Sequence, residues 1–137
     1  MQSTTSSSNA DGIGYSTNIG IMDDERVIFE ASSGPRREDV QHTYGDTLKN
    51  MEALTSIILL KAYKLSNARF STLTRYKSIC IHSIKRTLTL SIMSITNDKK
   101  FVFEEQRRAT VPVGYQERYY WYEILELITR LQVGIGL

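Results

Sequence analysis

The sequence predicts an α+β fold, and three observations support this prediction. The middle of the chain contains stretches in which apolar and small polar side chains alternate, as in the run Thr-Leu-Thr-Leu-Ser-Ile at residues 87–92. A period of two residues is typical of strands with one buried face. One apolar stripe of helical spacing precedes these stretches, and a second one follows them. The predicted order is β-β-α-β-β-β-α, with an antiparallel five-stranded sheet and with both helices packed on it.

The first elements are predicted to be a tail and a hairpin. Residues 1–16 are rich in Ser, Thr, Asn and Gly, and such a composition buries too little apolar surface to offset the entropy of ordering, so a disordered tail is expected. A single domain is predicted over residues 17–137. It is expected to begin with a β-hairpin whose turn contains Asp23 and Asp24 and whose second strand ends near Ala31.

A long helix is predicted next, beginning within residues 38–44 and ending near residue 65. Its apolar positions Leu48, Met51 and Ile58 are three or seven residues apart and therefore lie on one helical face. Further apolar residues widen this face. The helix is thus expected to bury a broad stripe against the sheet and to have apolar surface left for a second helix.

After the predicted strands, residues 106–114 are expected to form a loop, because they are polar and include Pro112. Residues 115–133 are expected to form a second amphipathic helix that begins with the run Tyr-Tyr-Trp-Tyr at residues 119–122. Three interpretations of this run remain open: aromatic residues that seal the helix against the sheet, a protein interface, or a platform for base stacking. Four consecutive aromatic residues cannot all face inward on one helix, which keeps the interface interpretation open.

Composition and charge exclude several classes of protein. At 137 residues the chain is the length of one domain, and its formal charge of +2 is too small, and its basic residues too scattered, to predict nucleic-acid binding. A single cysteine is typical of a reducing compartment. No apolar run approaches the length of a membrane span, and no secretory signal is present. The sequence therefore predicts a cytosolic protein whose attachment to a membrane, if any, is indirect.

Residues capable of catalysis or metal binding do not form a recognisable motif. Neither His42 nor His82 has neighbours at metal-ligand spacing. Cys80 lies in an apolar strand without nearby basic residues, which predicts a buried structural thiol. No nucleophile, base and acid can be assembled into a catalytic set. The expectation is a protein that is not an enzyme and has no cofactor and no metal site.

Residues 19–108 resemble a known family. The similarity includes the Ile-Gly-Ile strand start at residues 19–21, the run Val-Ile-Phe-Glu-Ala-Ser-Ser-Gly at residues 27–34, the single helix that follows, and the runs Arg-Thr-Leu-Thr-Leu-Ser-Ile at residues 86–92 and Lys-Phe-Val-Phe at residues 100–103. In these features the chain resembles the roadblock/LC7-type (longin-related) subunits of the Ragulator complex, the late endosomal/lysosomal adaptors. The longer Ser-rich N-terminus and the aromatic C-terminal helix depart from the family pattern.

The resemblance implies a non-catalytic scaffold that heterodimerises with another roadblock-type subunit and helps to hold Rag-type GTPases for TOR complex signalling. The implied location is the cytosolic face of the lysosome, late endosome or vacuole, with a lipidated partner as the membrane anchor. Roadblock-type proteins pair through the edge of the third strand, with their long helices side by side. The partner interface implied here comprises Ile79, Ile81, Leu48, Met51, Ile58, Trp121 and Tyr122.

Two alternatives belong to other classes. A small self-assembling viral structural protein of matrix type is compatible with the hydroxyl-rich composition and the α+β plan. An RNA-binding module would need a basic and aromatic sheet face, and the face that carries Thr87, Thr89 and Ser91 is neither.

Overall fold

A computed structural model describes residues 12–18, 21–32 and 40–134 of the chain. Five strands form one sheet in which their order is the same as their order along the chain. The strands are β1 (Gly12–Asn18), β2 (Ile21–Ser32), β3 (Ser78–Ile84), β4 (Thr87–Ile95) and β5 (Phe101–Thr110). The predicted α+β class and the packing of helices on a five-stranded sheet are confirmed.

The prediction of an antiparallel sheet is wrong, because β2 and β3 are parallel while the other neighbours are antiparallel. The connection between them contains helix α1 (Val40–Lys64), which has 25 residues and is therefore about 37 Å long. A helix of this length returns the chain to the end at which β2 began. The next strand then runs in the same direction as β2, with Val27 opposite Ile79.

The first hairpin begins earlier than expected. Residues 12–16 were predicted to be part of a disordered tail, but they belong to β1; residues 1–11 lie outside the described part. Asp23 and Asp24 lie within β2 rather than in the turn, which falls between Asn18 and Ile21. Glycine explains how such a weakly apolar segment forms a strand: a Cβ at Gly14 would lie only 3.0 Å from Cβ of Val27.

The face of the sheet that α1 covers holds one apolar cluster, the α1-side cluster. From α1, Leu54, Ile57 and Ile58 enter it, as the helical stripe predicted. Cys80, Met93 and Ile95 are among the strand residues in this cluster. The Ser78 hydroxyl donates a hydrogen bond of 3.0 Å to the buried carbonyl of Leu54, which joins helix and sheet at a point closed to water.

A second helix, α3 (Trp121–Gly134), covers the opposite face and forms the α3-side cluster. Neighbouring residues of a strand point to opposite faces of the sheet. Accordingly Ile79 belongs to the α3-side cluster while Cys80 belongs to the α1-side cluster. The sheet is therefore the middle layer of three.

Two more elements differ from the predictions. A short helix, α2 (Phe70–Thr74), occupies part of the expected linker and inserts the buried side chain of Leu73 beside α1. β5 continues to Thr110 through part of the predicted loop. Its polar composition is compatible with an edge strand, because charged side chains and the irregularity opposite Leu90 and Ser91 protect such an edge from unwanted pairing.

Candidate interaction surface

Two polar contacts hold α3 in a defined orientation on the sheet. The backbone N–H of Thr110 donates a hydrogen bond of 2.9 Å to the Glu123 carboxylate, at the end of β5. One helical turn later, the Arg107 guanidinium forms an ion pair with Glu126. Ile124 and Leu127 are buried between these contacts and the sheet. The side of α3 that faces water is thereby determined.

That side of α3 is apolar and aromatic. We call it the α3 outer face; it comprises Trp121, Tyr122, Leu125, Ile128 and Val133, all of which are exposed. The side chains of Trp121, Tyr122 and Leu125 are exposed by 55%, 69% and 60%, respectively. Because an α-helix advances about 100° per residue, these positions lie largely opposite the buried Ile124 and Leu127. A contiguous apolar surface of this kind on a soluble domain typically marks a binding site.

The α3 outer face carries no charge. By helical spacing, the charged residues Glu123, Glu126 and Arg130 fall on one narrow strip along the side of the helix. Thr129 and Gln132 are the polar residues among the outer positions, and both are neutral. A partner for this face would therefore contribute apolar groups and neutral hydrogen-bonding groups rather than a charge.

A 3-10 helix (Tyr115–Tyr120) extends the aromatic surface before α3 begins. The rings of Tyr119 and Tyr120 are 4.4 Å apart, and the Arg118 guanidinium lies 4.2 Å above the ring of Tyr115. Tyr115 and Tyr119 are exposed. Ring contacts of this type restrict the side chains before any partner arrives.

The backbone under this 3-10 helix is tied to the turn between β3 and β4. Arg86 donates hydrogen bonds to the Val111 carbonyl and to the Glu117 carboxylate, while the backbone N–H of Val113 donates to the same carboxylate at 3.0 Å. The N–H of Val113, and next to it Arg86, hold the pKa of Glu117 below its usual value. The aromatic residues are thus presented on a fixed segment.

A buried polar cluster under α1 is the other place where chemistry could occur. Burial raises the pKa of the Cys80 thiol to about 12, with a smaller contribution from the Glu30 carboxylate. Burial also lowers the pKa of His82, although Asp46 and Glu30 act in the opposite direction. A thiol that remains protonated at neutral pH is a poor nucleophile. In the described part of the chain, no three His, Cys, Asp or Glu residues are placed to hold a metal ion.

The interface residues predicted on β3 do not lie on an edge. β3 pairs with β2 on one side and with β4 on the other, so the expectation of a free third-strand edge is wrong. Ile79 has no exposed surface, and Ile81 packs against the α3-side cluster. These two isoleucines stabilise the domain itself, and Ile79 is out of reach of a partner in this fold.

The other predicted interface residues divide into two groups. On α1, Ile58 is fully buried and Met51 packs partly buried against the same cluster, whereas Leu48 is exposed. On α3, Trp121 and Tyr122 are both exposed, and the structure brings them together with Leu125, which the predicted interface did not include. Partner contact by these exposed residues remains a prediction.

Comparisons with protein-family models, with curated proteins and with solved structures find no match for this chain. The argument about function therefore depends on the geometry of the surface. Among the helices of residues 40–134, none is long and apolar enough to span a membrane.

Sequence reasoning missed the extent of the α3 outer face, although a signal for it was present. Glu123, Glu126 and Arg130 fall on one strip of the helix, so the remaining uncharged surface is too wide to be covered by a single sheet. Leu125 and Val133 lie in the excess. An apolar arc wider than its own core requires is the pattern that predicts a second contact.

Proposed function

We propose that this chain is a non-catalytic scaffold subunit that binds another protein through the α3 outer face. The observation that carries the proposal is the exposure of Trp121, Tyr122 and Leu125 on a surface without charge. The centres of protein interfaces are depleted in charged residues, and tryptophan and tyrosine supply a large share of their binding energy.

The chemistry of the face favours a protein over a lipid surface or a nucleic acid. Binding to an anionic membrane or to a phosphate backbone uses cations on the contact surface, and the outer positions of α3 carry none. Thr129 and Gln132 lie among the outer apolar positions and suit neutral hydrogen bonds with a folded partner. The partner's matching surface is expected to be apolar at its centre.

The resemblance of residues 19–108 supports a more specific form of this proposal. In that form the partner is another roadblock-type subunit, and the assembly is Ragulator-like, holding Rag-type GTPases at the lysosomal or vacuolar membrane for TOR complex signalling. The pairing would use α3, because β3 is enclosed by its neighbours. The aromatic helix that departs from the family pattern would then be the element that binds the partner.

The test begins with the mass of the purified full chain, measured by light scattering behind a sizing column. A tagged chain is then used to recover partners from native cytosol, with the double variant Trp121→Ser/Leu125→Ser beside the wild type. Truncating interface aromatics typically weakens binding by more than about tenfold. The matched control is Leu59→Ser/Tyr63→Ser, which removes two exposed apolar side chains from α1 instead.

The proposal expects a second roadblock-like chain with GTPases to be recovered by the wild type and by the α1 control, and to be lost with the α3 variant. Equal recovery with the α3 variant would contradict it. A homo-oligomer of the purified wild type that the α3 variant dissociates would instead support the self-assembling structural protein.

A further inference from the structure

The middle of the chain has an uneven distribution of charge. Residues 53–97 contain seven lysine and arginine residues and no aspartate or glutamate, although the whole chain is nearly balanced, with 17 basic and 15 acidic residues. The excess of positive charge is therefore confined to one segment, and the fold decides where that segment lies.

Part of this segment forms one end of the layer of helices above the α1-side cluster. α1 ends at Lys64, which is exposed, and the connection to α2 carries exposed Arg69, with exposed Arg75 just after α2. Backbone hydrogen bonds within the connection, from the N–H of Ala68 to the carbonyl of Leu65 and from the N–H of Thr72 to the carbonyl of Arg69, both 2.9 Å, hold α2 close to the end of α1. Three cations are thus displayed on a short, ordered structure.

Exposed apolar side chains lie beside these cations. Leu59 and Leu60 are about half exposed, and Tyr63 is exposed by 81%. The three positions belong to the last two turns of α1 and point away from Leu54 and Ile58, which fill the core. We call these six residues, namely Leu59, Leu60, Tyr63, Lys64, Arg69 and Arg75, the α1–α2 surface.

Cations flanking exposed leucine and an aromatic side chain fit one type of ligand better than others. Anionic lipid headgroups attract lysine and arginine, while leucine and tyrosine enter the boundary between headgroups and acyl chains. Single-stranded RNA would use the cations and could stack on Tyr63, but it has no use for exposed leucines. The α3 outer face, by contrast, has apolar residues without the cations.

We propose that the α1–α2 surface binds a membrane that contains anionic lipids. This contact attaches the protein directly to a lipid surface from one side of the sheet, and it leaves the α3 outer face on the other side of the sheet available to a protein partner. It requires neither the proposed partner nor a lipidated subunit, so it goes beyond the proposed function and stands independently of it.

The test is sedimentation of the full chain with vesicles of phosphatidylcholine alone and with vesicles that also contain phosphatidylserine. Binding is expected only to the second kind and is expected to weaken as salt is added. The double variant Arg69→Glu/Arg75→Glu should bind at least ~30-fold more weakly, since each basic residue near such a surface contributes roughly a factor of five or more.

Two controls separate this contact from general electrostatics. Lys85→Glu/Arg130→Glu makes the same change in net charge, from +2 to −2, away from the α1–α2 surface, and it should retain most of the binding. Leu59→Ser/Tyr63→Ser leaves the charge unchanged and should still lose most of the binding, because the apolar contribution is removed. Circular dichroism melting curves establish that each variant is folded.

Several outcomes would overturn the proposal. They are binding to neither kind of vesicle, equal binding to both, an equal loss in the Lys85→Glu/Arg130→Glu control, or full binding by Leu59→Ser/Tyr63→Ser. Binding to a single-stranded RNA oligonucleotide that this last variant retains, with no binding to vesicles, would favour a nucleic acid instead. Trp121→Ser/Leu125→Ser is expected to bind vesicles normally, so failure of the proposed protein interface and failure of the lipid contact are distinguishable.

Discussion

The two long helices cover opposite faces of the same sheet, yet their exposed sides differ in chemistry. α1 buries Leu54, Ile57 and Ile58, and near its end its exposed apolar residues lie beside cations. α3 buries Ile124 and Leu127, and its exposed apolar residues lie on a surface without charge. The comparison teaches that exposed hydrophobicity alone does not identify a partner. The charges around it separate a lipid-like contact from a protein-like contact.

The comparison assumes that α3 is as much a part of the core as α1, and Ile79→Asp tests this with the largest expected effect. Ile79 lies under α3 without exposed surface, so a carboxylate there would be buried without a partner. We expect a loss of at least ~4 kcal/mol in the free energy of unfolding, which is enough to unfold many domains. Urea denaturation followed by circular dichroism measures it.

The control for that substitution is Ile13→Asp. Ile13 lies on the edge strand β1 and is exposed by 45%, so a loss within about 1 kcal/mol is expected. A folded, stable Ile79→Asp variant would show that α3 does not seal its face of the sheet.

A second prediction compares a buried leucine of α1 with an exposed leucine of α3. Leu54→Ala should lower the free energy of unfolding by about 2–5 kcal/mol, because it leaves a cavity in the α1-side cluster. Leu125→Ala should change it by less than about 0.5 kcal/mol, since the side chain faces water. Urea denaturation of both variants gives the difference. A large loss for Leu125→Ala would mean that the α3 outer face is needed for folding rather than for binding.

The third prediction concerns pH and the side of the sheet under α1. The folded state lowers the pKa of His82 below its ordinary value of 6.5, mainly through burial. As the pH falls below about 6.5, the unfolded chain takes up this proton while the folded chain resists it, so the free energy of unfolding decreases. Stability measured at pH 7 and pH 5 should show this decrease, and His82→Gln should reduce it.

The chain has two histidines, so His42→Gln measures the contribution of the other one. If His82→Gln left the fall in stability between pH 7 and pH 5 unchanged, the buried histidine would not be its cause.

The smallest expected effects come from two helical glycines. A Cβ at Gly45 of α1 would meet nothing within 4 Å, so Gly45→Ala should stabilise the protein by up to ~1 kcal/mol through helix propensity. A Cβ at Gly134 of α3 would lie 3.2 Å from Cδ1 of Ile79 and 3.4 Å from Cδ1 of Ile92. There the same gain is offset by displaced side-chain ends, and the net change should be within about 0.5 kcal/mol. A gain at Gly134 equal to that at Gly45 would indicate looser packing under α3.

Local patterns in the sequence predicted most of the elements. The alternation at residues 87–92 predicted β4, and the apolar stripe through Leu48, Met51 and Ile58 predicted α1. The expected C-terminal helix is present over Trp121–Gly134, after a 3-10 helix that the spacing did not distinguish. These features depend on side chains a few residues apart, which is the range that hydrophobic periodicity reports.

β1 and the end of β5 were missed because their residues lack a strand-like pattern of their own. Gly12 and Gly14 contribute no side chain to a core, and residues 106–110 are mostly polar. Both strands lie at the edges of the sheet. Their hydrogen bonds depend on the neighbouring strand rather than on their own composition, so the sequence alone gave no reason to expect them.

The sequence by itself determined which segments form helices and strands and which sides of them are apolar, since these properties arise from neighbouring residues. The tertiary structure decided that β3 lies in the centre of the sheet, that Ile79 is buried, and that Trp121, Tyr122 and Leu125 face water on one side of α3. The physical reason is that exposure depends on contacts between residues far apart in the chain. The direction in which α1 returns the chain selected which of several apolar surfaces was covered and which remained for a partner.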